Sequence, residues 1–113
     1  MKAEFNITGR IGKITPAGNT LKVSIASEYG KKDKNGEFQS NPFWNTVTIF
    51  SERRIDWINK NCEPGDIVET DGTIRDTSYE KNGETVYTVT LAADRFDNHS
   101  YAERMRAERK NQE

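Results

Sequence analysis

A single cysteine, Cys62, and a single histidine, His99, leave this chain little material for thiol, imidazole or metal chemistry. One cysteine cannot close an internal disulfide, and no CxxC-type metal site can be built from it. No metal and no cofactor is expected. Nucleophilic catalysis needs a Ser, Cys or Lys beside a base, yet His99 sits in a polar tail and Cys62 falls on an apolar helix stripe. No glycine-rich phosphate loop leads into a helix, which removes nucleotide hydrolysis. The chain is therefore not expected to be an enzyme. Long apolar runs are equally scarce, so no segment can span a bilayer, and the start Met1-Lys2-Ala3-Glu4-Phe5 lacks the apolar core of a signal peptide. A soluble, cytoplasmic protein without membrane contact follows. An excess of positive charge is missing as well: the formal net charge is −1.

What is present has to be read by region. The chain has 113 residues, enough for one compact domain and too few for two ordinary cores. Residues 1–50 carry seven Lys/Arg against four Asp/Glu, residues 51–98 six against eleven, and residues 99–113 four against three. Positive charge is thus concentrated towards the N-terminus. With 33% hydrophobic and 31% charged residues the chain is polar, yet it holds eleven aromatics. A thin core with further aromatics outside it fits that balance.

Period-two alternation dominates. Phe5, Ile7 and Ile11 oppose Asn6, Thr8 and Arg10, and after a turn at Pro16-Ala17-Gly18-Asn19 the residues Leu21, Val23 and Ile25 oppose Lys22, Ser24 and Ala26. Glu28 to Asn41 reads as a long exposed hairpin around Asn35-Gly36. Trp44 to Phe50 is the strongest strand, because six of its seven residues are aromatic or β-branched. If Val47 and Ile49 feed the core, then Trp44, Thr46, Thr48 and Phe50 point outward. Ser51 is a plausible helix N-cap, Ile55, Ile58 and Cys62 keep helical spacing, and Pro64-Gly65 stops the helix; Trp57 lies off that stripe. Asp66 to Asp76 and Thr85 to Asp94, joined across Asn82-Gly83, form a second hairpin. The order predicts an all-β fold, a five-stranded oligonucleotide-binding (OB) barrel with one short helix between strands 3 and 4. The barrel is expected to occupy residues 1–98, and residues 99–113 to be a polar tail, a frayed helix or disordered.

Aromatics outside the core, set among lysines, are the composition that stacks bases and tracks a phosphate backbone. Alternation alone leaves core packing open for Trp44 and Phe50, and a charged hairpin carrying Lys31, Lys32 and Lys34 is most simply a solvated one. Tyr29 and Tyr79 fit ordinary strand ends equally well.

Three stretches carry a resemblance: FNITGRIGKI, TLKVSIASEYGKKDKNGEFQSNPFWNTVTIF and GDIVETDGTIRDTSYEKNGETVYTVTLAAD. In that order they resemble bacterial single-stranded DNA-binding proteins over about residues 5–96. The resemblance implies sequence-nonspecific binding and protection of single-stranded DNA in replication, recombination or repair. It implies base stacking on Trp44 and Phe50, with Tyr79 and Tyr29 at or near further stacking positions. Thr46 and Thr48 would share the outer face, and Lys31, Lys32, Lys34, Arg75 and Lys22 would line the DNA path. It also implies a homotetramer, with a dimer as the other assembly, and association with the nucleoid in a bacterium. Two departures stand out. The loop at Thr15 to Asn19 is short, and the chain stops at Arg-Lys-Asn-Gln-Glu without the family's acidic Pro-Phe tip, so recruitment of replication proteins through a tail is not expected. The competing reading is a protein-interaction module of a replication or restart complex with weak or no DNA binding.

Overall fold

β-branched residues at alternate positions produce five long strands: β1 (Glu4–Ala17), β2 (Thr20–Lys32), β3 (Phe38–Ile49), β4 (Ile67–Lys81) and β5 (Glu84–Asn98). Helix α1 (Glu52–Asn61) falls between β3 and β4, and helix α2 (His99–Asn111) follows β5. The computed structural model describes residues 1–111, and of Tyr29 the backbone only. The strands close into a barrel in the order β1-β2-β3-β5-β4, which is the expected five-stranded OB architecture. No described helix is long and apolar enough to cross a membrane.

Closure has two unequal parts. β1 serves both flanks, pairing Glu4 to Arg10 with β4 and Arg10 to Ala17 with β2. Among the described residues the β3–β5 ladder consists of the parallel pairs Val47↔Leu91 and Thr48↔Ala92. Beyond those pairs the β2–β3 and β4–β5 hairpins continue as free arms. A radius of gyration of 17.2 Å measures the effect, since a compact domain of this length would have one of about 13 Å. The β4–β5 arm runs further than the sequence pattern suggests, because Asn82 (φ 53°) and Gly83 (φ 79°) form a tight turn that keeps the ladder paired to Lys81↔Glu84. At the tip of the other arm the Asp33 carboxylate accepts hydrogen bonds from Asn35 N, Glu37 N and Gln39 Nε2. These bonds hold its pKa below the usual carboxylate value.

The inward residues are those the alternation picks out. Leu21, Val23 and Ile25 of β2, Val47 and Ile49 of β3, and Val68 of β4 are buried, and Ile58 of α1 joins the same core. Ser51 caps α1, its hydroxyl accepting from Arg54 N at 3.4 Å.

Of the two forms expected for the C-terminal segment, residues 99–111 take the helical one, and the first turns of α2 are docked on the barrel by polar contacts that leave no trace in hydrophobic periodicity. The Asn98 side chain caps α2 by accepting from Tyr101 N (2.8 Å) and donates to Asp66 Oδ2 (2.8 Å). Arg104 reaches back to Asp66 Oδ1 (2.8 Å) and Oδ2 (3.2 Å) and to the Asn61 carbonyl (3.1 Å). Trp57 packs edge-on against Tyr101, centroids 5.3 Å apart, so its off-stripe position is used within this chain. Asp66 is buried, and Arg104, ahead of Asn98 and Glu63 N, lowers its pKa.

That geometry sets a pH-dependent stability. Arg104→Ala leaves a buried carboxylate short of its charged partner and should cost roughly 1.5 to 3 kcal/mol at neutral pH. Because the folded pKa of Asp66 is depressed, the contribution is fully present above the unfolded value of about 3.9 and is lost as pH falls through the folded value. Thermal melts of the wild type and Arg104→Ala should therefore be well separated at pH 7 and converge in acid. A gap independent of pH would contradict this.

Candidate nucleic-acid interface

The burial of Val47 and Ile49 turns the even-numbered residues of β3 outward, and register extends that face across the sheet. One row runs Lys13, Ser24, Thr46, and the next runs Thr15, Lys22, Thr48, Ala92, Thr73. Through Ala92 the face continues onto the second arm, where Arg75 pairs with Thr90, Thr77 with Thr88 and Tyr79 with Val86. Trp44, Thr46, Lys22, Arg75 and Tyr79 thus share one outward surface, as Lys32 does further along β2.

Aromatics on it are exposed, Trp44 to 60% and Tyr79 to 52%, and Phe50, directly after the end of β3, is exposed to 52%. Exposure of this size excludes core packing as their role. Trp44 is nonetheless held, because its indole lies across Gly12 of β1, where a Cβ would run into the ring. The bare glycine lets an aromatic settle on the backbone of a neighbouring strand.

Thr48 has to be corrected. It lies in the outward row but is only 7% exposed, being flanked by Lys22 on one side and Ala92 on the other at the point where the barrel closes. Lys31 pairs with Gln39 and belongs to the opposite face of β2 from Lys32, while Lys34 sits in the turn. Tyr29 pairs with Asn41, and its side chain lies outside the described residues. The sequence reading also missed two groups. Lys13 joins the Trp44 side through a register shift between Ile11 and Lys13, which simple alternation cannot anticipate. Phe38, read as part of a polar hairpin, is on the same outward face.

Acidic charge is gathered elsewhere. Arg95 binds Glu69 (3.0 Å), Asp71 (2.6 Å) and Asp97, and His99 approaches Glu69 at 3.4 Å. Asp71, then Glu69, raise the Arg95 pKa, and Arg95 lowers that of Glu69. This cluster lies at the opposite end of β4 from Tyr79 and absorbs part of the acidic excess of residues 51–98. A concavity of about 660 Å³ beside α1, between Arg54, Trp57 and Phe96, is lined by none of the exposed aromatics of the β3 face. No group of three or more His, Cys, Asp or Glu among the described residues could hold a metal ion.

Residues 4–99 match the model of the single-strand binding protein family. No curated protein sequence matches the chain. Among solved structures, the chain is similar to the Plasmodium falciparum SSB in complex with ssDNA, with a TM-score of 0.65 at 17% identity over 87% of this chain and 93% of that one. It is similar to the mitochondrial single-stranded DNA-binding protein of S. cerevisiae, TM-score 0.64 at 24% identity, covering 88% and 96%. A small single-stranded DNA-binding protein of Streptomyces coelicolor gives 0.59 at 12%, covering 86% and 94%. At such identities the structures establish a shared fold.

The two sides of β3 should respond differently to truncation. Val47→Ala removes fully buried methyl groups and should destabilise the barrel by about 1 to 3 kcal/mol. Trp44→Ala leaves no core cavity and should cost no more than about 1 kcal/mol. Denaturant melts check this, and equal losses would mean that the faces are reversed.

Proposed function

The chain belongs to the single-strand binding protein family, and from that premise we propose that it binds and protects single-stranded DNA, without strong sequence preference, in replication, recombination or repair. The observation that carries the proposal is the exposure of Trp44 and Tyr79 on one continuous surface with Lys13, Lys22 and Arg75, with a further exposed aromatic, Phe50, directly after β3. An exposed ring anchored on the sheet can take a base against its open side, and every base has such a face, so stacking is tolerant of sequence. The cations meet phosphates between stacked bases. The function is that of a binding protein, without a catalytic step.

Stacking on one aromatic contributes on the order of 1 to 3 kcal/mol, so Trp44→Ala should weaken oligo-dT binding roughly five- to a hundredfold. Few phosphates are neutralised, and the salt dependence should be shallow. Three to five contacts on a single strand give a slope of about −2 to −3.5 in log K against log salt. A titration series in increasing salt measures it, and a slope of zero would mean that these cations do not touch the backbone.

One observation favours a second reading, an interaction module: the anionic cluster around Arg95 is a surface that no DNA strand would seek. The two readings part on oligo-dT, which the module would not bind.

Assembly as a homotetramer, with a dimer as the other form, belongs to the same proposal, because one barrel of this size presents little length for DNA to wrap. Light scattering at micromolar protein should give a multiple of the 12.9 kDa chain mass. A monomer at all concentrations would contradict it.

A further inference from the structure

We propose that Phe38 is a further stacking platform, which extends the DNA path from the barrel along the β2–β3 arm with Gly30 as its seat. The inference rests on the DNA-binding reading of the outward face and adds to it a residue outside the polar pattern of the hairpin. Phe38 and Trp44 lie six residues apart within β3, and an even separation keeps them on one side of the pleat. At about 3.3 Å per residue they stand roughly 20 Å apart.

Phe38 is 69% exposed, more than Trp44, Phe50 or Tyr79. It lies on an arm that contributes nothing to the core cluster, so packing does not account for a phenylalanine there. Its ring rests on Gly30 of the partner strand, and a Cβ at Gly30 would collide with the ring. Trp44 and Gly12 repeat the same arrangement nearer the barrel. In both places a glycine on an adjacent strand leaves room for a ring to settle on backbone while the remainder faces solvent. Directly across the ladder Phe38 meets Lys32, a cation on the same face and within reach of a phosphate next to a stacked base.

The arm's electrostatics favour stacking over charge. Lys31, Lys32 and Lys34 are balanced by Glu28, Asp33 and Glu37, and Asp33 is committed to the turn. Between Phe38 and Trp44 the outward face carries one carboxylate, Glu28, which accepts a hydrogen bond from Ser40 Oγ at 3.2 Å. An arm without net charge attracts DNA weakly at long range, so the exposed ring is what it offers.

Oligo-dT of graded length tests this, with lengths chosen to bracket the roughly 4 to 16 nucleotides that a single OB fold occupies. Phe38→Ala should bind the shortest oligonucleotides like the wild type and lose roughly five- to a hundredfold on the longest. Gly30→Ala, which displaces the ring without removing it, should give the same length-dependent loss. In a Trp44→Phe, Trp57→Phe background, Phe38→Trp places the only tryptophan on the arm, and long oligo-dT should quench it. Phe38→Ala binding as the wild type does at every length, or an unquenched Phe38→Trp in a protein that still binds, would overturn the proposal and leave the reading of Trp44 intact. A wild type that bound no oligo-dT at all would remove both.

Discussion

Val47 and Ile49 are fully buried where β3 lies between β2 and β5, and a pleated strand has to turn the residues beside them the other way. The outward aromatic row is a consequence of that burial. A slip of one residue in the pairing of β3 would send Trp44 and Thr46 inward and expose both aliphatic side chains, so the hydrophobic core itself fixes the register. Among the described residues two pairs make up the β3–β5 ladder, yet through Thr48↔Ala92 they connect the surface around Trp44 with that around Arg75 and Tyr79. The same short contact releases the rest of both hairpins to project as arms.

A second constraint operates at the far end of the barrel. Asp66 gathers Asn98 and Arg104, and Arg104 also reaches the end of α1 through the Asn61 carbonyl. Burial makes that carboxylate dependent on its partners, and the partners fix where α2 begins. The half-buried Cys62 accepts from Asn98 at the edge of this node, and burial pushes its thiol pKa up. Order at this end leaves the β3 surface untouched, which separates what stabilises the molecule from what it presents to a ligand.

The barrel was legible in the sequence because its strands alternate cleanly: Leu21, Val23 and Ile25 show period two without ambiguity, and Ser51 with Pro64-Gly65 brackets α1. The face of Trp44 was legible only in part, because alternation left core packing open for it, and the burial of Val47 and Ile49 settles that its side chain is turned outward. Three things were not. The burial of Thr48 depends on a neighbour in β5, some forty residues away in the chain. The place of Lys13 depends on a bulge, which breaks the parity that alternation relies on. The docking of α2 depends on Asp66, Asn98 and Arg104 meeting as a cluster, and polar contacts at such separations have no period to detect. Phe38 was hidden for a simpler reason: surrounded by polar residues it looks like part of a loop, and only the ladder to Lys32 and the seat on Gly30 reveal a built position.

The central claim is that a nucleic-acid strand lies against the outward face of β3, and the two tryptophans allow it to be measured directly. Trp57→Phe leaves Trp44 as the sole indole, on that face, whereas Trp44→Phe leaves Trp57, packed edge-on against Tyr101. On addition of oligo-dT, emission from the Trp57→Phe protein should be strongly quenched as a base stacks on Trp44, and emission from the Trp44→Phe protein should stay nearly constant. Quenching confined to Trp57, or absent from both, would contradict the account.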